Sequence, residues 1–453
     1  MRDFNATILQ KRNFIIQTIK QVFELYGFEP LETPTMENSS TLMEKYGEEG
    51  DKLIFRVLDS GNPFSKIQGV ELSENNFLQI KNQISEKSLR YDLTIPFARY
   101  VAMNHAVLPL PFKRYQIQPV WRGDRPQKGR YREFYQCDVD VVGSNSLLNE
   151  VDLLRIYNTV FKKLNLPVKI NINNRKILSI LTQFCNTYLD TTSQITTTQF
   201  CTIIDKIDKI GWEKIAEQLQ ELGIPTDVLQ NINHVLNIKE KNNIESLQTF
   251  NNMFDDSFED KNIAIQELET ILSFCSDLDN IKIDFSLARG LNYYTGMIVE
   301  VAVDSKDIKM GSIGGGGRYD NLTAMFGVPN LSGVGVSFGL DRIYDVMEEL
   351  KLFPQNIYTN ATVLFFNLGN EEAKKSYTIL QILREKNIRA EIYPDTVKLV
   401  KQFKYAEAKN IPNVIIIGSK ELEKNQLICR NIITGIETII AMDNIENLIS
   451  LLI

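Results

Sequence analysis

FKRYQIQPVWRGDRPQKGRYREFYQCDVDVVG, residues 112–143, decides how this chain is read. Arg122, Arg125, Arg130 and Arg132 crowd one short segment. A run of bulky apolar residues precedes it, and a strand-like alternation ending in Asp138 and Asp140 follows. Residues 112–133 hold seven Lys/Arg against Asp124 and Glu133, opposite in sign to the whole chain, whose net charge is −7. Arginine is a planar, permanently charged fork that grips phosphate through two bonds at once. Strand, basic loop and strand therefore predict a hairpin that clamps a polyanion above a pocket with an acidic floor. That outline suits an ATP-using ligase better than a general nucleic-acid binder.

Working outward, 453 residues exceed one ordinary core, so two or three domains are expected. With 43% hydrophobic and 24% charged residues the composition is that of a soluble globular protein. No apolar run approaches the ~20 residues that span a bilayer. The N-terminus, MRDFNATILQKR, lacks the apolar segment of a secretory signal. Five scattered cysteines without a CxxC pair predict reduced, mostly buried thiols and a cytoplasmic location. The two histidines, His105 and His234, leave little room for His-based catalysis or a zinc site, and no protein-held metal is expected. The acidic balance argues against a duplex-DNA coat, though not against a local basic face.

Apolar residues at three- and four-residue spacing predict a first helix over Ala6–Tyr26, stopped by Gly27. Strands are expected at Leu31–Pro34, with Pro34 marking an irregular edge, and at residues 53–58 and 89–95. The polar stretch Asp59–Lys87 reads as a mobile loop with a short strand inside, and helices are expected over Pro96–Asn104 and Asn149–Leu164. From Lys176 to Ser276 the texture turns helical and polar, as in an inserted helical domain. Strand patterns resume at Ile281–Leu287, Met297–Val303 and Val334–Phe338, followed by a helix over Asp341–Leu350. Pro354–Asn360 reads as a linker, and from Thr362 strands and helices alternate as in a small α/β unit with a mostly parallel sheet.

Four further clusters carry chemistry. Asp92 and Thr94, in RYDLT, would share one face of a strand and suit an ammonium group; read alone they are more simply a surface polar face. Residues 288–296, ARGLNYYTG, suggest a tight loop presenting a cation and phenols, or only a Tyr-rich turn. In 314–320, GGGGRYD, four glycines let the backbone approach a ligand, or form a flexible loop. They match neither a P-loop nor a dinucleotide fingerprint. In 333–343, GVGVSFGLDRI, a small-residue strand runs into a helix whose Arg342 can stack on a flat ring, or merely packs tightly. Together, arginines on three segments, a glycine floor and two carboxylates suit acid activation. A carboxylate attacks the α-phosphate of ATP, pyrophosphate leaves, and the arginines spread the developing charge. No general base is needed, because a carboxylate is already a nucleophile.

The order of these motifs resembles class II aminoacyl-tRNA synthetases, specifically the histidyl-tRNA synthetase family, over nearly the whole chain. YGFEPLETPTME (26–37) is similar to motif 1, the dimer element. WRGDRPQKGRYREFYQCDVD (121–140) is similar to motif 2, and GVGVSFGLDRI to motif 3. LARGLNYYTG (287–296) and GGGGRYDNL (314–322) resemble the two signatures of the histidine enzymes. The resemblance implies an α+β fold in two parts, 1–175 and 277–352, around an antiparallel sheet. It further implies a helical insertion at 176–276 that embraces the tRNA acceptor arm, and an anticodon-binding domain at 361–453 with Lys401, Lys404 and Lys409 exposed. It implies ATP-dependent activation of L-histidine, with Mg²⁺, and transfer to the 3′ end of tRNA(His) by a homodimer, with no role for DNA or membrane.

By the same resemblance Arg122 meets the α-phosphate and the substrate carboxylate, Arg289 sits near the α-phosphate, and Arg130 reaches the outer phosphates. Phe134 and Arg342 sandwich adenine. Asp92, Thr94 and Gln136 hold the α-amino group; Asp140 and Tyr294 bracket the imidazole, with Tyr293 and Tyr319 lining the pocket. Asn292 stands where the family signature has Asp, and Asp124 where many class II members have Glu, which would lengthen an adenine contact. The competing readings are a non-catalytic synthetase-like subunit of ATP phosphoribosyltransferase, which would erode the arginines and lack the C-terminal domain, and a tRNA-sensing module of a kinase.

Overall fold

The computed structural model describes residues 2–43, 45–46, 51–67, 73, 76–288, 293–308, 310–354, 357 and 361–452. Two compact units divide at Leu352–Phe353.

The first unit is built on an eight-stranded sheet of order β1-β5-β6-β11-β10-β9-β7-β8. Its strands are β1 Glu29–Pro30, β5 Phe112–Trp121, β6 Glu133–Val142, β7 Val168–Asn174, β8 Ile281–Ile283, β9 Met297–Val303, β10 Gly314–Arg318 and β11 Gly333–Gly339. Only the outermost pairs, β1·β5 and β7·β8, are parallel. A separate small sheet, ordered β2-β4-β3, comprises β2 Met36–Asn38, β3 Arg56–Val57 and β4 Lys87–Leu89.

One face of the large sheet is apolar. Val334, Val336 and Phe338 alternate with Gly333, Gly335, Ser337 and Gly339 along β11, the period-two signature of a strand whose faces differ. Phe338 meets Phe23 at 5.7 Å and Tyr157 at 4.6 Å between ring centroids. Phe23 belongs to the first helix, Ala6–Leu25, and Tyr157 to Leu148–Lys163. Asn5 caps the first helix by accepting from Ile8 N at 3.0 Å. Gly27, at φ +76°, closes its end in a conformation that disfavours side chains.

Six helices from Arg175–Asn186 to Lys261–Phe274 lie between β7 and β8 in the chain. Each buries one stripe, as Ile177, Leu178, Ile180 and Leu181 do in the first of them.

Several expectations are corrected. Leu31–Pro34 is not a strand: β1 ends at Pro30, and only Leu31 N continues the pairing, to Tyr115 O at 2.9 Å. Residues 89–95 are not one strand either, because β4 stops at Leu89 and a helix runs over Thr94–Asn104. Asp92 Oδ1 accepts from Ile95 N at 3.1 Å, which satisfies an orphan donor of the first turn, and Pro96 fits there because its missing N–H has no partner to lose. The strand at 53–58 shrinks to Arg56–Val57, and that at Ile281–Leu287 to Ile283. Within Asp59–Lys87 the described residues hold a 3₁₀ turn at Pro63–Lys66 and a helix at Phe77–Ile84, not a strand inside a loop. The four-glycine run is a central strand rather than a loop. Most of the linker Pro354–Asn360 lies outside the described residues.

The second unit has a five-stranded sheet ordered β13-β12-β14-β15-β16, with β12 Val363–Phe365, β13 Ala390–Ile392, β14 Asn413–Ile416, β15 Gln426–Asn431 and β16 Glu437–Ala441. β13, β12 and β14 are parallel, and β15 and β16 antiparallel. Apolar clusters cover both faces, with Phe365 and Ile415 in one and Leu364 and Val414 in the other. Lys401, Lys404 and Lys409, on or just beyond the helix Leu399–Ala408, are exposed.

Candidate active site

The sheet's other face carries the polar groups. Cross-strand partners point to the same side. Arg114 pairs with Asp140, Gln116 with Asp138 and Gln118 with Gln136 across the β5–β6 hairpin. Gly335, Ser337 and Gly339 of β11 face Asp140, Asp138 and Gln136 in turn, and Gly317 faces Gly335. Phe134, Gln136, Asp138 and Asp140 thus form one row along β6, flanked by glycines.

The glycines are there because side chains from neighbouring strands lie over them. A Cβ on Gly335 would sit 1.9 Å from Asp140 Oδ1, and one on Gly333 2.3 Å from the Tyr319 ring. One on Gly317 would meet the Tyr294 ring at 2.9 Å. Tyr319, just past β10, donates its hydroxyl to Asp140 Oδ1. Arg114 Nη2 lies 3.0 Å from Asp140 Oδ2. Tyr293 and Tyr294 are buried, with ring centroids 4.7 Å apart, and Tyr293 meets Tyr319 edge-on at 6.3 Å. Asp140, Tyr293, Tyr294 and Tyr319 therefore come together; in this structure it is Tyr319 that holds Asp140.

Next along the row, Gln136 Nε2 donates to Ser337 Oγ at 3.1 Å. Asp92 receives the Tyr46 hydroxyl at 2.8 Å. Thr94 begins the helix that follows Asp92, so the two flank a helix start and do not share a strand face. Arg122 Nε donates to Tyr91 O at 3.1 Å, and its guanidinium lies 4.2 Å from the Tyr91 ring and 5.2 Å from that of Phe134. Arg342, in the first turn of Leu340–Glu349, donates through Nε to Gly129 O at 2.7 Å and through Nη1 to Ser312 O, which ties the basic loop to the end of β11. Arg130 is half exposed and pairs with Asp124 at 3.5 Å, while Arg132 donates to Asp124 O at 3.2 Å. Asp124 is thus engaged with the loop's own arginines. Arg289 and Asn292 lie outside the described residues.

Burial dominates the electrostatics. It pushes the Asp138 carboxyl up to about 7; Arg114 opposes this and Asp140 adds to it. Asp140 is raised by burial and pulled back by Arg114 and by the Tyr319 hydroxyl. Asp92 is raised by burial, against bonds from Ile95 N and Tyr46. Burial, then Asp140, holds Tyr319 well above the usual phenol range. Such clustering of perturbed groups marks functional sites more often than plain packing. His105 caps the end of a helix, Nδ1 lying 2.8 Å from Ala102 O, and His234 sits in the helical insertion. All five cysteines are buried thiols without disulfide partners. Among the described residues no three His, Cys, Asp or Glu side chains gather as metal ligands, and no helix is long and apolar enough to cross a membrane.

Sequence reasoning passed over Tyr46 and the pairing of Arg114 with Asp140. The second was accessible from the hairpin register; nothing in the sequence around Tyr46 singles it out.

A helix-backed antiparallel sheet, an arginine-rich hairpin across it and a motif arginine opening the next helix define the catalytic fold of a class II aminoacyl-tRNA synthetase. The family model described as histidyl-tRNA synthetase matches residues 65–343, and that described as anticodon binding domain matches 362–451. The histidine–tRNA ligases of Phocaeicola vulgatus and Bacteroides fragilis are each 47% identical over 98% of this chain and 96% of their own length. The crystal structure of histidyl-tRNA synthetase from Nostoc sp. PCC 7120 covers 98% of this chain and 96% of its own, with TM-score 0.79 and 28% identity. The chain belongs to the histidyl-tRNA synthetase family. An ATP phosphoribosyltransferase regulatory subunit/histidyl-tRNA synthetase from Bacillus halodurans, at 17% identity and TM-score 0.68, covering 92% of this chain and 97% of its own, shares the fold alone.

Proposed function

We propose that this chain is a histidine–tRNA ligase that joins L-histidine to tRNA(His) in two steps at the glycine-floored face. The substrate carboxylate attacks the α-phosphorus of ATP and expels pyrophosphate, forming histidyl-adenylate. A ribose hydroxyl at the 3′ end of the tRNA then attacks the acyl carbon and releases AMP.

The observation that carries the reading is the row on β6. Phe134 stands at one end beside Arg122, and Asp140 is locked at the other by Tyr319 and Arg114. A neutral imidazole has one donor and one acceptor nitrogen. A carboxylate meeting the donor and a phenol meeting the acceptor read both ends, and an analogue lacking one nitrogen leaves a buried group unpaired, a loss of ~10⁴-fold or more. Asp140 and Tyr294 take those roles, with Tyr293 and Tyr319 lining the slot. Asp92, Thr94 and Gln136 take the α-ammonium group. Arg122 and Arg289 meet the α-phosphate and carboxylate, where they stabilise charge as the bond forms. Arg130 takes the outer phosphates, and adenine lies between Phe134 and Arg342. Mg²⁺ enters on the triphosphate, and no step is assigned to it.

The helical insertion, 176–276, is assigned to the acceptor arm and the C-terminal unit, 361–453, to the anticodon. Motif 1 is assigned to a homodimer contact, which the exposed apolar side chains of Met36, Met103 and Val107 favour. The enzyme acts in the cytoplasm. Pyrophosphate exchange across all twenty amino acids tests the reading: histidine alone supports exchange, and Arg289→Ala abolishes it with the fold intact. Exchange driven by another amino acid, or undiminished in that variant, refutes the assignment.

A further inference from the structure

Beneath the proposed imidazole slot lies a charge that meets no substrate group in the roles above. Arg114 is fully buried on β5, directly opposite Asp140. Its guanidinium lies 4.0 Å from the centroid of the Phe97 ring, on the helix that covers this face. Its closest anion is Asp140 Oδ2 at 3.0 Å, and none of its nitrogens has a hydrogen-bond partner of good geometry among the described residues. An arginine sealed from water is costly unless its charge is used.

The groups facing Asp140 from every side are few. Arg114 comes from β5, Asp138 from its own strand, Asp92 from the turn before the helix, and Tyr319 from beyond β10; β11 presents Gly335 and Ser337. Among the described residues Arg114 is the one cation in contact with Asp140, against three carboxyls. A carboxyl sealed in such a place tends to take up a proton. A neutral Asp140 would be a weaker acceptor for a ring N–H, and its proton would compete for the same oxygens.

We propose that Arg114 is a positioning residue that acts through Asp140, holding that carboxylate charged and in one rotamer against the ring of the bound amino acid. Oδ2 is drawn toward Arg114 and Oδ1 is held by Tyr319, so the carboxylate plane is fixed at both ends. Each oxygen keeps a further lone pair for substrate. The inference rests on the histidine reading above, and its test separates the two.

Exchange is measured in the full chain for wild type, Arg114→Met and Arg114→Lys, varying histidine and ATP separately between pH 6 and 9. Wild-type exchange with histidine is the test of the function; the variants test only this inference. Arg114→Met is expected to raise the KM for histidine by about tenfold or more and leave that for ATP within about twofold, the size of loss common for groups supporting a ligand from behind. The acidic limb of kcat/KM for histidine moves up by roughly 1–3 pH units, what an opposite charge at this range contributes. Arg114→Lys keeps the charge without the fork and brings the limb back toward wild type. A folded Arg114→Met enzyme with an unmoved limb and unchanged KM for histidine overturns the proposal, as does an equal loss toward histidine and ATP that lysine does not repair. Should the methionine variant fail to fold, Arg114→Gln, which removes the charge but keeps a polar end, decides: a raised KM for histidine alone supports the role, and an unchanged one overturns it.

Discussion

Gly335→Ala is the sharpest probe of this site. The added Cβ would lie 1.9 Å from Asp140 Oδ1 and 2.4 Å from its Cγ, against an ordinary contact of 3.4 Å or more. The strand pairing on both sides, Gly335 with Asp140 and with Gly317, holds the backbone, so the carboxyl must retreat by about 1.5 Å. That retreat disrupts the Arg114 pair and the Tyr319 bond together. A misplacement of ~1 Å costs roughly 10²-fold in rate, or about 2.7 kcal/mol of transition-state stabilisation. Overpacking adds about 1–3 kcal/mol of instability. Phe134 stands six residues away, roughly 20 Å at the rise of a strand, so nucleotide affinity is spared. Pyrophosphate exchange at varied histidine and varied ATP, with a denaturant melt of each protein, measures both effects. A folded variant whose kcat/KM for histidine stays within about threefold of wild type, or whose KM for ATP rises in parallel, would refute the reasoning. Gly316→Ala is the control: its Cβ would meet Gly335 O at 2.1 Å, a backbone atom that cannot swing aside, so the cost falls on the fold.

Asp138→Asn tests the buried carboxyls through stability. Burial pushes Asp138 up to about 7 in the folded chain, against ~3.9 unfolded, so between these values the folded chain holds the extra proton and the group's contribution to stability falls as pH rises. Asparagine removes that dependence; the variant's stability relative to wild type should climb from pH 4 to pH 8 by on the order of a few kcal/mol, and a flat difference in denaturant melts would count against it. Tyr46→Phe removes the hydroxyl bonded to Asp92 and should cost about 1–2 kcal/mol, read as a 5- to 30-fold rise in the KM for histidine; an unchanged KM would remove Tyr46 from the site. A chain ended after Leu352, where the first unit closes, should keep histidine-dependent exchange and lose most charging of tRNA, and unimpaired charging would exclude the C-terminal unit from anticodon reading.

Regular elements were legible where one period ruled. The first helix is found within a residue of its expected end, and β9 over its whole expected length. Misreadings arose where a local signal competed with a non-local one. Residues 89–95 have the β-branched and aromatic texture of a strand, yet a capping carboxylate and a first-turn proline turn them into a helix start. GGGG reads as a loop because glycine pays an entropic cost in strands. Here it is a strand because Tyr157, Tyr294 and the β11 backbone occupy the space its side chains would need. Packing from 20 to 160 residues away cannot be seen in the run itself.

The site divides along a similar line. Residues proposed to touch substrate leave motifs, because chemistry narrows their identity and spacing; Gln136 and Asp140 could be named from one strand. Residues that act on those residues are coded only in the pairing between strands. Arg114 looks like one more cation in a basic stretch until the hairpin register sets it opposite Asp140, with Gln116 opposite Asp138. Both arms of that hairpin are ten residues long, so counting inward from the loop at Arg122–Arg132 reaches the same partners without coordinates. Register, once inferred, assigns every second side chain to a face and thereby separates the lysine at 113, which reaches Tyr26 O at 2.9 Å on the helical side, from the arginine at 114 beneath the slot. Two adjacent cations thus have unrelated tasks, and net charge along the chain does not distinguish them.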